Sequence, residues 1–287
     1  MENSCFLCNK TSNVIVYEEN GFESRPCPEC GLLYCNPLPK EGEVDFENES
    51  HIDSFYKKPA RYKSGWLAEK IGSGKSLLEV GAGNGHLLNE FYHQGYDVAG
   101  LEPNTQRVNN MREVYHLQTH QGYLESYDFK EKKFDVVYHV DLLAHFPDPL
   151  LALQKMKDIV TKDGYVSFEV GVIGGISTFW YKMFPLGLPQ HRWLYSERSL
   201  TKLLEKAKLD VVHKTTHSLA PYLVLKKISN LVLIVLLKRL LNPFIGRRTE
   251  VLVSLHNNFA NFLRYSVGRH FPNLGPLTVL YILKSKE

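Results

Sequence analysis

Residues 76–88 read SLLEVGAGNGHLL, and no other stretch restricts the fold as much. Leu77 to Val80 is a short apolar run of the kind that lies buried in a parallel sheet. Three glycines follow at alternate positions (Gly81, Gly83, Gly85), and Leu87, Leu88 and Phe91 then recur at helical spacing. A strand, a tight glycine turn and a helix N-terminus open a βαβ unit, whose loop amides face a polar ligand. The dinucleotide fingerprint G-x-G-x-x-G places its third glycine one residue later, so a nicotinamide-binding sheet is the poorer match.

The rest of the chain supplies the strands such a unit needs. YDVAGLE (96–102) ends in Glu102, about twenty residues past Gly81, where an acid would hold ribose hydroxyls. FDVVYHV (134–140) and GYVSFEVGV (164–172) read as strands four and five. Between them, DPLLALQKMKDIVTKDG has helical apolar spacing and is expected to stop at its glycine. SERSLTKLLEKAKL is a helix with a capping-box start at Ser196 or Ser199. DVVHKTTHS follows as strand six, and LTVLYILKSK closes the chain as an alternating apolar strand.

The front of the chain holds CFLC (Cys5, Cys8) and CPEC (Cys27, Cys30), with eighteen residues between the pairs. Two C-x2-C knuckles at this spacing can present four thiolates tetrahedrally to Zn²⁺, leaving no open position, so the metal would be structural. A forty-residue module needs such a staple, having too small a core of its own. Cys35 is left over as a small apolar residue. MENSCFLCNK lacks the apolar region of a secretory signal, so a reducing, cytoplasmic setting is expected.

LLEVGAGNGHLL, GLEPN, FDVVYHVDLLAHFPDP, LPQHRWLYSERSLTKLLEKAKL and CPECGLLYCNPLP together resemble the class I S-adenosylmethionine-dependent methyltransferases. The subgroup they are most similar to carries an N-terminal zinc-ribbon-like segment. The resemblance implies that Glu79, Gly81, Ala82, Gly83 and Gly85 hold the methionine part of the cofactor. It implies that Glu102 and Pro103 hold the ribose, that Tyr123 and Leu124 flank the adenine, and that Val140 and Asp141 line the sulfonium. Many relatives have Glu-His where this chain has Ala144-His145, so a role played by that glutamate is absent here.

The expected fold is therefore α/β, a Rossmann-like seven-stranded methyltransferase sheet with an N-terminal zinc ribbon and a helical insertion before the last strand. The expected units are a ribbon-like module (1–40), a helical linker (41–72), the methyltransferase domain (73–218), the insertion (219–275) and the last strand (276–287). S-adenosylmethionine and a structural Zn²⁺ are the expected cofactors.

Methyl transfer asks the protein for alignment and, with a hydroxyl or acidic carbon as acceptor, for a base. His145, after strand four, and His191, after strand five, lie at the ligand-binding edge of the sheet and are the catalytic candidates. For His145 the plainer reading is that it orients the HFPDP turn. Tyr181 and Tyr195 do not stand out among sixteen tyrosines.

Net charge is +3, unevenly spread. Residues 220–275 hold eight Lys or Arg and one acid, Glu250, so this segment carries +7 and the remainder −4. Within it NLVLIVLLKRLL (230–241) is too short to span a bilayer, which needs about 20 apolar residues. Three readings stay open: a lid or dimer interface, an interfacial helix among lipid headgroups on the inner membrane face, or a basic pocket for a phosphorylated substrate. The expected acceptor is a small or lipid-linked molecule, with a glycan among the candidates, methylated at oxygen. The rival function is RNA modification guided by the ribbon and the basic segment. The ribbon's own charge opposes it, because Glu2, Glu18, Glu19, Glu23 and Glu29 outnumber Lys10, Arg25 and Lys40.

Overall fold

In a computed structural model the described residues are 4–40, 43–44, 53–173, 186–218 and 277–286, the side chains of 53–58 excepted. The basic apolar segment 219–275 and Tyr181 lie outside them. Among the described residues no helix is long and apolar enough to cross a membrane.

Seven strands form the expected sheet: β4 (Ser76–Val80), β5 (Asp97–Glu102), β6 (Gln118–Gln121), β7 (Phe134–Val140), β8 (Val160–Ile173), β10 (Leu209–Ser218) and β11 (Leu277–Ser285). Their order is β6-β5-β4-β7-β8-β11-β10, with β11 antiparallel to both neighbours and the first five parallel. The order reverses between β4 and β7, which opens a crevice at the carboxyl ends of those two strands.

Helices cover both faces. On one, α1 (Asp53–Ile71), α2 (His86–His93) and α3 (Thr105–Val114) pack Leu67, Leu88, Phe91, Val108 and Met111 against the sheet. On the other, α4 (Pro149–Asp158) and α5 (Glu197–Ala207) bury Leu153, Met156, Leu200, Leu203 and Leu204. The capping box at the start of α5 is complete, with Ser196 as N-cap and Ser199 answering it. Helix α4 ends earlier than expected, at Asp158, and Val160 to Gly164 already belong to β8. The β-branched run Ile159-Val160-Thr161 favours extended backbone and overrides the helical spacing.

The cysteine-rich front forms β1 (Tyr17–Glu19), β2 (Phe22–Pro26) and β3 (Leu33–Asn36), and it does not stand apart. Strand β3 pairs with β9 (Trp193–Ser196), a strand the periodicity did not reveal, and β9 runs parallel to the end of β8. The ribbon strands thereby extend the main sheet to eleven strands. Cys5, Leu7, Leu32 and Tyr34 share one apolar cluster with the α4–α5 face. Phe6 meets Trp193 at 4.7 Å between ring centroids.

Lys63 of α1 is buried and forms an ion pair of 3.0 Å with Glu169 of β8, which is wholly buried. Two ions lifted out of water stay together at little net gain, but removing one strands the other. Lys63→Met is therefore expected to destabilise the fold by about 3 kcal/mol. Lys63→Met with Glu169→Leu should recover most of that loss. Urea denaturation of the two variants beside the parent measures both.

Candidate functional site

The crevice is built from the segments that leave β4, β5, β7 and β8 at their carboxyl ends. After β4 the glycine loop turns back, with the Gly81 amide donating to the Leu101 carbonyl at 2.7 Å. Gly83 sits at φ +55°, and a Cβ added there would meet nothing within 4 Å. Its Cα thus faces open space, a cradle into which any side chain would project. Glu102 ends β5 with its carboxylate held by the Gly83 amide (2.9 Å) and the Asn104 amide (3.2 Å), with Arg107 3.6 Å away. Pro103 follows at the lip, and Asn104 caps α3. A polar cleft of about 530 Å³, lined by Asn84, Asn104, Arg107 and Asn110, runs alongside.

Glu79, deep in β4, has a buried carboxylate oxygen without a hydrogen-bond partner. Burial holds its carboxyl well above the usual range; Lys63 opposes that shift and Glu102 adds to it. An orphaned acceptor beside a buried ammonium and an open glycine cradle suits a ligand that carries both an ammonium and a carboxylate, as the methionine end of S-adenosylmethionine does. The residues present fit that group.

Of the remaining candidates, Leu124 is buried in the core, while Tyr123 is half-exposed at the rim. Val140 ends β7, and Asp141 takes a left-handed conformation with its amide bonded to the Glu169 carbonyl at 2.9 Å. The 3-10 turn Leu142–Ala144 follows, and Leu142 lies directly over Gly81. This turn delivers His145 to His191, with ring centroids 4.7 Å apart. The Nδ1 of His145 bonds the Gln190 carbonyl at 2.9 Å, and that of His191 bonds the Leu186 carbonyl at 2.5 Å. A carbonyl only accepts, so each Nδ1 carries the proton and, in the neutral ring, Nε2 carries the lone pair. Burial, with His191 and Arg192 nearby, pushes the His145 pKa down to about 4. His139, stacked on Phe168 behind this pair, is pushed to about 3 by burial. Tyr195 is buried elsewhere, its hydroxyl bonded to the Leu143 carbonyl at 2.9 Å.

At the ribbon, the sulfurs of Cys5, Cys8, Cys27 and Cys30 lie within 4.8 Å of one another. Cys5 and Cys30 are 3.7 Å apart, close to the roughly 3.8 Å edge of a ZnS₄ tetrahedron with 2.3 Å bonds. Burial raises the Cys5 thiol to about 11 and also raises Cys30; at Cys27 burial acts upward too, but amide hydrogen bonds from Cys30 and Glu29 outweigh it. Lys202 of α5 reaches Cys8 Sγ at 3.1 Å and pairs with Glu29. Cys35 is buried, bonded to the Pro37 carbonyl and pushed up to about 12 by burial, in keeping with an apolar role.

The sequence did not point to Lys63, Lys202 or Arg192. Lys63 and Lys202 lie on helices that carry several other charges, and each finds its partner only through tertiary packing.

The arrangement defines an α/β protein with a Rossmann-like sheet and a crevice at its glycine loop. A family model described as "Methyltransferase domain" matches residues 55–214, more than half of the chain, and the chain belongs to that family, the class I S-adenosylmethionine-dependent methyltransferases. It is 28% identical over 152 residues to a ubiquinone biosynthesis O-methyltransferase of Aliivibrio fischeri (strain MJ11), a match covering 47% of this chain and 64% of that enzyme. The corresponding enzyme of Shewanella halifaxensis is 29% identical over 154 residues, again 47% and 64%. Less than two thirds of either relative is therefore spanned. Coclaurine N-methyltransferase, solved with N-methylheliamine and SAH, has a TM-score of 0.53 at 16% identity, covering 84% of this chain and 75% of that one. The cyclase SpnF has the same TM-score at 12% identity, covering 84% and 85%. These two likenesses show the fold alone, which hosts more than one chemistry.

Imidazoles held below their unfolded pKa bind protons less readily in the native state, so stability present above about pH 6.5 is lost as pH falls. The contribution of His145 should decline below pH 6.5 and level off near pH 4. His145→Gln is expected to flatten the curve of urea midpoint against pH across that window. Parallel curves for parent and variant would show that His145 titrates normally.

Proposed function

We propose that this protein methylates a hydroxyl of a small-molecule or lipid-linked acceptor, with His191 as the base and His145 orienting it. The histidine pair carries the reading, because both rings are anchored through Nδ1 to main-chain carbonyls and meet on the segments that follow β7 and β8. The relatives named as O-methyltransferases support oxygen as the target.

Bound S-adenosylmethionine supplies an electrophilic methyl group on sulfur. Lys63 and Glu79 would face its amino-acid end, Gly81, Ala82, Gly83 and Gly85 would hold it, and Glu102 would accept hydrogen bonds from the ribose. Pro103, Tyr123 and Leu124 would border the adenine, and Val140 and Asp141 would border the sulfonium. His191 Nε2 takes the proton from the acceptor hydroxyl as that oxygen becomes nucleophilic. His145, kept neutral by its low pKa, packs against the His191 ring and limits its orientations. The basic segment 220–275 is the sequence feature that favours a lipid-linked acceptor.

Purified protein should release S-adenosylhomocysteine when given one member of a panel of phenols, catechols and hydroxy acids, with amines as controls. His191→Ala should bind S-adenosylhomocysteine as the parent does yet lose at least about a hundredfold in turnover, the span of general-base contributions. Turnover on amines only, or an unimpaired His191→Ala, would sink this reading. Glu102→Ala should weaken S-adenosylhomocysteine binding about tenfold or more in calorimetry, as loss of a charged acceptor does.

The four cysteines fit one structural Zn²⁺, and Lys202 would offset part of the negative charge of a tetrathiolate. Elemental analysis is expected to find one zinc per chain, and chelation should lower the melting temperature. A metal-free preparation with an unchanged melting temperature would exclude a structural ion.

A further inference from the structure

The strands β1 and β2 are joined by the two-residue turn Asn20-Gly21, with φ of +53° and +80°, the positive angles that an Asn-Gly hairpin turn adopts. The pair Glu19↔Phe22 closes the ladder, so Glu19 and Asn20 stand at the hairpin tip. Both reach across the fold to one short segment 168 residues away in sequence. Glu19 Oε2 accepts the amides of Gly187 (2.8 Å) and Leu188 (2.9 Å), and Asn20 Nδ2 donates to the Leu188 carbonyl (2.8 Å).

That segment sets the position of His191. The His191 amide donates to the Gly187 carbonyl at 2.9 Å, and its Nδ1 donates to the Leu186 carbonyl. Gly187 lies so close beneath the ring that a Cβ would come within 2.6 Å of Nδ1, and its φ of +78° also favours glycine. On the other side of His191, the Arg192 carbonyl accepts from the Cys35 amide of β3, and the Arg192 amide donates to the carbonyl of Ala144, next to His145. The imidazole is thus held downstream by β3 and upstream by the hairpin tip. Both holds come from the ribbon.

We infer that Glu19, assisted by Asn20, is a positioning residue for His191, and that the ribbon serves the active site by fastening the loop that carries this histidine. The inference rests on the proposed role of His191, but the fastening can be tested without an acceptor. Two adjacent amides converging on one carboxylate oxygen form a small anion nest, so Glu19 acts on the loop as an acceptor.

The test uses the zinc-loaded full chain, labelled with ¹⁵N-histidine and saturated with S-adenosylhomocysteine. Long-range proton–nitrogen correlation spectra report the tautomer of each ring, and the signal lost in His191→Gln identifies His191. The parent should show the Nδ1-protonated form. Glu19→Ala should shift this signal toward an exchange-averaged mixture of tautomers, with the His217 and His139 signals unmoved and S-adenosylhomocysteine affinity within about twofold. Glu19→Gln should restore the parent pattern, because its amide oxygen can accept both loop amides. An unmoved His191 signal in Glu19→Ala overturns the inference, as does a Glu19→Gln spectrum matching Glu19→Ala. Should Glu19→Ala fail to fold, Asn20→Gly preserves the turn and removes one bond; it should move the His191 signal less in the same direction, and an unmoved signal there overturns the inference equally. A shifted signal combined with full turnover in His191→Ala would uphold the fastening while refuting the proposed base.

Discussion

Strand β8 is the constraint on which the rest of the molecule depends. It is fourteen residues long, twice the length of β7, and its buried stretch from Val166 to Val170 must find backbone partners on both edges. Strand β7 satisfies one edge as far as Glu169 and β11 satisfies the other from Val166 to Val172. Beyond the end of β7 the remaining amides and carbonyls are taken up by β9 at Val172 and Ile173. That overhang is where the ribbon attaches, through β3. Strand β8 therefore supplies both the floor of the crevice and the means by which a cysteine-stapled hairpin becomes part of it.

The same strand places charge under the crevice. Glu169 lies one strand from β4 across β7, and Lys63 descends from α1 to pair with it. Glu79 sits nearby with a carboxylate oxygen unsatisfied and its carboxyl biased toward the neutral form. A folded protein keeps an arrangement like this at a cost, since each buried polar atom without a partner loses the hydrogen bond that water gave it. Ligand binding that supplies an ammonium would recover that loss. Strain of this kind belongs where binding is to be selective, and it lies beside Gly83, the loop glycine whose Cα opens into empty space.

Strands β4, β5, β7 and β8 were legible because each is mainly apolar and stands beside a glycine or an acid, as Leu77–Val80 stands before Gly81, whereas β6, the tetrapeptide QTHQ, has no apolar run to reveal it. The thiol cluster was legible because two C-x2-C pairs at ribbon spacing are the sequence pattern that brings four sulfurs together. Strand β9 was not: its four residues WLYS make only two pairings with β8, too few for a period to emerge. The end of α4 was misjudged because Met156, Ile159 and Val160 continue a helical apolar spacing, while the β-branched side chains prefer the extended backbone they adopt. Lys63 was missed because one lysine among several charges on α1 has no local sign of burial. Asp141's left-handed backbone, which turns the chain toward His145, depends on a hydrogen bond to Glu169 that no local pattern encodes.

Long-range fastening would give the cysteine-rich module a role in the fold to which it is joined through β3 and β9. A loop at the carboxyl edge of a sheet is held at its two ends and is free between them, which suits ligand entry but leaves a reactive side chain poorly placed. A carboxylate on a tight hairpin corrects this at modest entropic cost, because the Asn-Gly turn and its ladder have already fixed Glu19 before it meets the loop. A metal held by the four thiols would keep the hairpin in place, since β1 and β2 alone bury too little apolar surface to hold a two-stranded ribbon in water. Order would then pass from the thiol cluster to the hairpin tip, from the tip to two backbone amides, and from those amides to one imidazole. On this view the acidic character of the ribbon, unfavourable for nucleic acid, is what its role requires: one of those acids is the clasp.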